Sequence, residues 1–213
     1  MLNILNIKDL YKNLPADEKA NVITHGLGLI LALIFTPLLL LSEPLSIRFF
    51  GLIVFAFGMI SMFFSSTFYH LANKEIRKNR WRIADHISIF ILIGCTYTPF
   101  ILFYYHTQPG LKFLTIHWSI IFFGILFKLI FKTKYEIVSL GLYLVLGWMV
   151  VFIFNEISKG MSFPVFFWLI AGGLSYTFGV YFYVRTRIQW HHAIWHIFVM
   201  LGCLGHYIAL FLS

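Results

Sequence analysis

Residues 190–213 read WHHAIWHIFVMLGCLGHYIALFLS, and this run decides how the rest of the chain is read. From His192 to Leu212 it is nearly free of charge and long enough, at about 1.5 Å per residue, to cross the roughly 30 Å of a bilayer core as a helix. Its first turns carry His192 and His196. Four residues apart on a helix, they lie one above the other on the same face, where two imidazoles can grip one metal ion. Three of the nine histidines fall between Trp190 and His196, so what comes to meet them matters.

Working outward, the whole chain has this character. Of 213 residues, 60% are hydrophobic and 11% charged, against about 25% charged in a soluble domain. Mean hydropathy is +0.86. The class is integral membrane, and the 25 phenylalanines suit a lipid-facing surface. Cys95 and Cys203 both lie inside apolar runs and form no CxxC pair, so they read as small buried residues. No cleavable signal peptide is expected, because residues 1–19 are too polar and the first apolar run too long for one. Ile4, Ile7, Tyr11 and Leu14 fall at helical spacing, so this cytoplasmic N-terminal segment reads as a short interfacial helix or a loose tail.

The predicted fold is all-α: a seven-transmembrane helix bundle filling residues 20–213. The spans are Ala20–Leu41, Ile47–Leu71, Ala84–Tyr105, Leu111–Phe131, Ile137–Phe154, Phe163–Val184 and His192–Leu212. Period-2 patterning is absent, which leaves helices as the spanning structure. Short links make neighbours antiparallel and leave no room for a second domain. Thirteen of the 16 Lys and Arg fall on one side of this arrangement and three (Arg48, Lys112, Lys159) on the other. By the positive-inside rule the N-terminus is cytoplasmic and the C-terminus outside. The same placement accounts for most of the net charge of +8 without a nucleic-acid partner.

Ionisable groups inside a bilayer are costly and need a reason. Asp85 opens the third span. Ser66 and His70 share a face near the end of the second, and His192 and His196 begin the seventh. The predicted topology brings all five to the cytoplasmic end, at similar depth on three helices. Three imidazoles with a solvent position are the layout of a catalytic zinc site, where the pKa of bound water falls toward about 7. Asp85 is suited to hold and deprotonate that water, or to complete the coordination. Ser66 can orient Asp85, stabilise an oxyanion or act as a nucleophile. A lone intramembrane His or Ser, however, commonly makes an interhelical hydrogen bond, and the HxxxH spacing alone fits that reading too.

Taken together, these residues resemble the hemolysin III family, bacterial members of the progestin and adiponectin receptor group, which is similar in turn to the alkaline ceramidases. The resemblance covers nearly the whole chain. It rests on Glu18-Lys-Ala-Asn21-Val-Ile-Thr-His25, Ser66-x-x-x-His70, Asp85-His86, Tyr97-Thr98-Pro99 and His192-Ala-Ile-Trp-His196. It implies a seven-helix bundle with an intracellular N-terminus, in a bacterial plasma membrane. It also implies zinc on His70, His192 and His196, with Asp85 reaching it through water. The long N-terminal region of the adiponectin receptors is missing, so hormone reception is not implied.

The leading expectation is a zinc-dependent hydrolase of a membrane lipid amide or ester. The alternatives are a pore-forming cytolysin and a membrane sensor or homeostasis protein with a structural zinc. A retinal protein is disfavoured, since residues 190–213 contain no lysine. Glu18 and Asn21 read as support behind the site, as contacts at a substrate mouth or, slightly preferred, as helix capping with dipole complementarity from Glu18. His25 has no assigned role. His86 and His191 read as interfacial, His106 and His117 as near the outer face, and His206 as a bundle hydrogen bond.

Overall fold

Lipid offers no hydrogen-bond partners, so a chain this apolar satisfies its backbone within each segment. The computed structural model describes residues 4–213, with side chains from Lys8 onward. Every regular element among them is helical: α1 Ile4–Lys12, α2 Ala16–Leu41, α3 Ile47–Leu71, α4 Glu75–Tyr104, α5 Gln108–Phe131, α6 Glu136–Trp148, α7 Phe154–Ser158, α8 Phe163–Val184 and α9 His191–Phe211, with a 3-10 turn at Met149–Ile153 between α6 and α7. Seven segments of 21 to 30 residues are apolar and long enough to cross a membrane, the fifth being α6 through α7. This is a multi-pass helical membrane protein. The side chains of Ile4 and Ile7, two members of the expected amphipathic face, lie outside the described residues, while Leu14 is buried.

Two helices start earlier than hydropathy suggests. α2 begins directly after Pro15 rather than at Ala20, and α4 begins at Glu75, more than two turns before Ala84. Helices stop where capping and propensity stop them, not where apolarity does. Lys and Arg are good helix formers, and Asp17, Glu18 and Glu75 complement the positive N-terminal dipoles.

The fifth span is broken. The α-helical ladder gives way at Trp148 to the 3-10 turn, and Tyr97 of α4 supplies what the break leaves open. Its hydroxyl donates to the Gly147 carbonyl at 2.8 Å and accepts from the Val150 N–H at 2.6 Å.

The closest helix pairs are α3 with α4 and α8 with α9. α2 lies between α3 and α9, and α5 lies against α4. The main core gathers Leu39 of α2, Phe55, Met59 and Met62 of α3, Ile101 of α4, and Val199 and Cys203 of α9. Large side chains also point outward: Phe57, Phe123 and Phe152 are 60%, 67% and 83% exposed. That inversion of the soluble pattern is what a lipid solvent allows.

α8 and α9 touch backbone to backbone through glycine. A Cβ at Gly205 would stand 2.8 Å from the Gly172 Cα and 3.0 Å from the Trp168 carbonyl oxygen. Backbone cannot swing aside as a side chain can, so Gly205→Ala is expected to push the helices apart. The expected cost is about 1–3 kcal/mol, as for other overpacked cores, read as a lower midpoint of thermal unfolding in detergent. Gly141→Ala, where a Cβ meets nothing within 4 Å, serves as the neutral control.

Candidate metal centre

Three helices deliver the site. α3 brings His70 in its last turn and Ser66 one turn before it. α4 brings Asp85, and α9 brings His192 and His196 in its first two turns. The α3–α4 packing aligns the first pair of helices: the Ser65 hydroxyl donates to Ser88 Oγ at 2.8 Å, and Ser88 donates to the Asp85 carbonyl at 2.6 Å.

The structure brings His70, His192 and His196 together. One ligand atom from each lies within 4.8 Å of the other two. The ring centroids form a near-equilateral triangle of 5.1, 5.0 and 4.6 Å, with the rings steeply inclined to each other. His70 and His196 are 2% and 1% exposed, and only His192 is partly open. The Asp85 carboxylate stays outside the group of three and has Ser66 beside it.

Hydrogen bonds settle two of the ring tautomers. Glu18 Oε2 lies 2.6 Å from His70 Nδ1, and its other oxygen pairs with Lys78. A carboxylate held by a lysine accepts only, so the His70 proton sits on Nδ1 and Nε2 presents its lone pair. That Nε2 is buried and has no hydrogen-bond partner among the described residues. Leaving such an atom unpaired costs about 1–3 kcal/mol. An orphaned imidazole lone pair facing two further imidazoles fits a metal ion. Thr24 does for His196 what Glu18 does for His70. Its hydroxyl lies 3.0 Å from the carbonyls of Ala20 and Asn21 and 3.0 Å from His196 Nδ1. Donating to a carbonyl, it accepts from Nδ1–H and leaves Nε2 of His196 free. Partners on the far ring nitrogen orient metal-binding histidines and raise their basicity.

Glu18 is thus more than the N-terminal dipole partner that its position suggested, and Thr24 was not singled out at all. A signal for the first existed: Glu18, Asn21 and His25 recur at a spacing that puts them on one helix face. Nothing in the sequence distinguishes Thr24 from any intramembrane threonine. His25 stacks on His196, centroids 3.6 Å apart, and both its ring nitrogens are buried without partners among the described residues. Of the remaining histidines, His117 is fully buried against Tyr97, and His206 packs against Tyr176 inside the α8–α9 pair. His191 Nδ1 meets the Phe182 carbonyl at 3.2 Å.

Comparison with known proteins gives the chain its family. The family model described as haemolysin-III related matches residues 15–207. The chain belongs to that family. It is 35% identical over 189 residues to a hemolysin-3 homolog of Bacillus subtilis (strain 168), covering 87% of this chain and 89% of that one. It is 31% identical over 190 residues to hemolysin-3 of Bacillus cereus, covering 87% and 86%. A more distant likeness, 26% over 212 residues and covering 94% and 85%, links it to the human monocyte to macrophage differentiation factor. All of the three-histidine group and its Glu18 and Thr24 supports lie within the stretch that matches the family model.

Removing the support should weaken the grip without removing a ligand. Glu18→Ala is expected to lower the affinity for a divalent metal ion about 10–100-fold, the usual effect of deleting such a partner. Thr24→Val should lower it less, since a neutral hydroxyl is replaced. Competition against a chromogenic chelator measures both, and equal affinity in wild type and Glu18→Ala would refute the assignment.

Proposed function

We propose that the chain is a zinc-dependent membrane hydrolase acting on an amide or ester bond of a lipid. The reading is carried by one observation: two buried imidazoles and a partly buried third converge with an unpartnered Nε2, near a carboxylate and a hydroxyl that lie outside the ligand group. His70, His192 and His196 would hold the ion, with Glu18 and Thr24 fixing the first and last of these rings. A zinc ion there supplies Lewis acidity and lowers the pKa of its water toward about 7. Asp85 orients the attacking water and takes up its proton. Ser66, beside it, donates its hydroxyl to the carboxylate and holds it in place. The outward-facing aromatic and aliphatic surface is compatible with a substrate arriving from the bilayer.

In this reading the site lies at the cytoplasmic end of a bacterial plasma-membrane protein, with the N-terminus inside. The distribution of Lys and Arg supports that orientation. A second reading has its own support. α3 and α9 pack mainly on other helices, α4 and α8, so an ion bridging His70 to His192 and His196 would staple them. A structural zinc in a sensor would need no more than that. For pore formation, the support is the name hemolysin-3 borne by the Bacillus relatives.

Purified protein should carry one zinc per chain, and His192→Ala and His196→Ala should lose it. On lipid amides and esters, Asp85→Asn should keep the metal and lower turnover about 10²–10⁴-fold, the range for a general base. Full activity in Asp85→Asn removes its role. Bound zinc with no turnover on any lipid favours the structural reading. A wild type without zinc ends the proposal.

A further inference from the structure

Beside the three-histidine group lies a second feature, a polar pocket of about 280 Å3 between the start of α2 and the turn that leads into α9. Asp17, Asn21, Thr186, Gln189, His191 and His192 line it. We propose that this pocket is a loading site for a hydrated divalent cation, through which metal reaches His192 and then the centre; the proposal rests on the zinc reading above.

Four observations carry it. The pocket and the centre share one residue, His192, and His192 is the single member of the triad that is not fully buried. An ion entering the centre therefore passes this ring. The pocket walls offer the donors that a hydrated divalent ion exchanges water for: a carboxylate, two side-chain amide oxygens and a hydroxyl. His191 adds a ring nitrogen. Its Nδ1 points at the Phe182 carbonyl and so carries the proton, which leaves Nε2 with a lone pair.

Asn21 is the third observation. It is 6% exposed and lines the pocket, and its side-chain amide is not among the buried polar atoms that lack a partner, so the part of Asn21 left open presents that amide to the pocket. The fourth is charge. Lys19, Lys78, Arg185 and Arg187 flank these segments in sequence or in space, a setting that repels cations. Glu18 and Glu136 are committed to Lys78 and Arg82. Asp17 makes no ion pair among the described residues and is exposed at the mouth. It is the one carboxylate among the residues that line the pocket, and so the group there that attracts a cation.

A loading site changes rates and leaves the final affinity alone, because the ligands of the bound state are untouched. Metal-free protein in detergent is mixed with zinc in a stopped-flow instrument, and loading is followed with a chromogenic chelator as competitor. Asp17→Asn should load roughly tenfold more slowly, release proportionally more slowly, and lose most of the salt dependence seen in wild type, as expected for electrostatic steering. Gln189→Trp, which fills the pocket from an exposed turn, should slow both rates without altering the salt dependence. Wild-type loading rates in both variants overturn the proposal. So does slow loading accompanied by an equal loss of affinity with unchanged release, because that pattern marks residues that hold the final ligands. A wild type that binds no zinc at equilibrium overturns the zinc reading itself. Stoichiometric zinc with unaltered rates in the variants overturns only the loading site.

Discussion

The interior of a bilayer supplies no hydrogen-bond partner, and almost everything in this protein follows from that scarcity. Backbone groups retreat into helices, and where a helix is interrupted a side chain from its neighbour stands in. Hydroxyls inside the spans return to their own ladder, as Thr96 does to the Leu92 carbonyl and Thr98 to Gly94. In such a ledger the atoms without partners are conspicuous. His70 Nε2 and both nitrogens of His25 are among them, and they lie within one group of stacked and inclined imidazoles.

That grouping also explains why the first spanning helix matters. α2 contributes no member of the triad. It contributes the two groups that decide which nitrogen of His70 and of His196 carries the proton. Ring geometry is set by α3 and α9, and ring chemistry is set by α2. A helix wedged between two others is well placed for this, because Glu18 reaches one neighbour while Thr24, under two turns away, reaches the other.

Much of this was legible in the sequence. Seven apolar runs, the absence of period-2 alternation and short links together specify a helical bundle, and all seven spans are present. Ser66, His70, Asp85, His192 and His196 could be placed at one depth because each sits at a span end whose direction follows from counting helices. Helix ends were less legible. Hydropathy marks the bilayer boundary, whereas α4 runs on through Arg77, Lys78 and Arg82 because nothing in that stretch breaks a helix. The break in the fifth span was invisible as well: residues 148–154 are as apolar as their neighbours, and the group that satisfies the break is Tyr97, about fifty positions away. Glu18 was read either as support for the site or, slightly preferred, in the local role that its position near a helix start suggests, since a partner on another helix leaves no trace in local pattern.

The Tyr97 hydroxyl makes the fifth span a jointed strut instead of a rod. Two rungs of its ladder are replaced by one oxygen on another helix, so bending stiffness there resides in a torsion of a tyrosine side chain and not in a continuous backbone. The segments on either side can change their mutual angle while that oxygen keeps both bonds. That joint lies in a span whose neighbours hold it lightly, apart from the helices that carry the imidazoles.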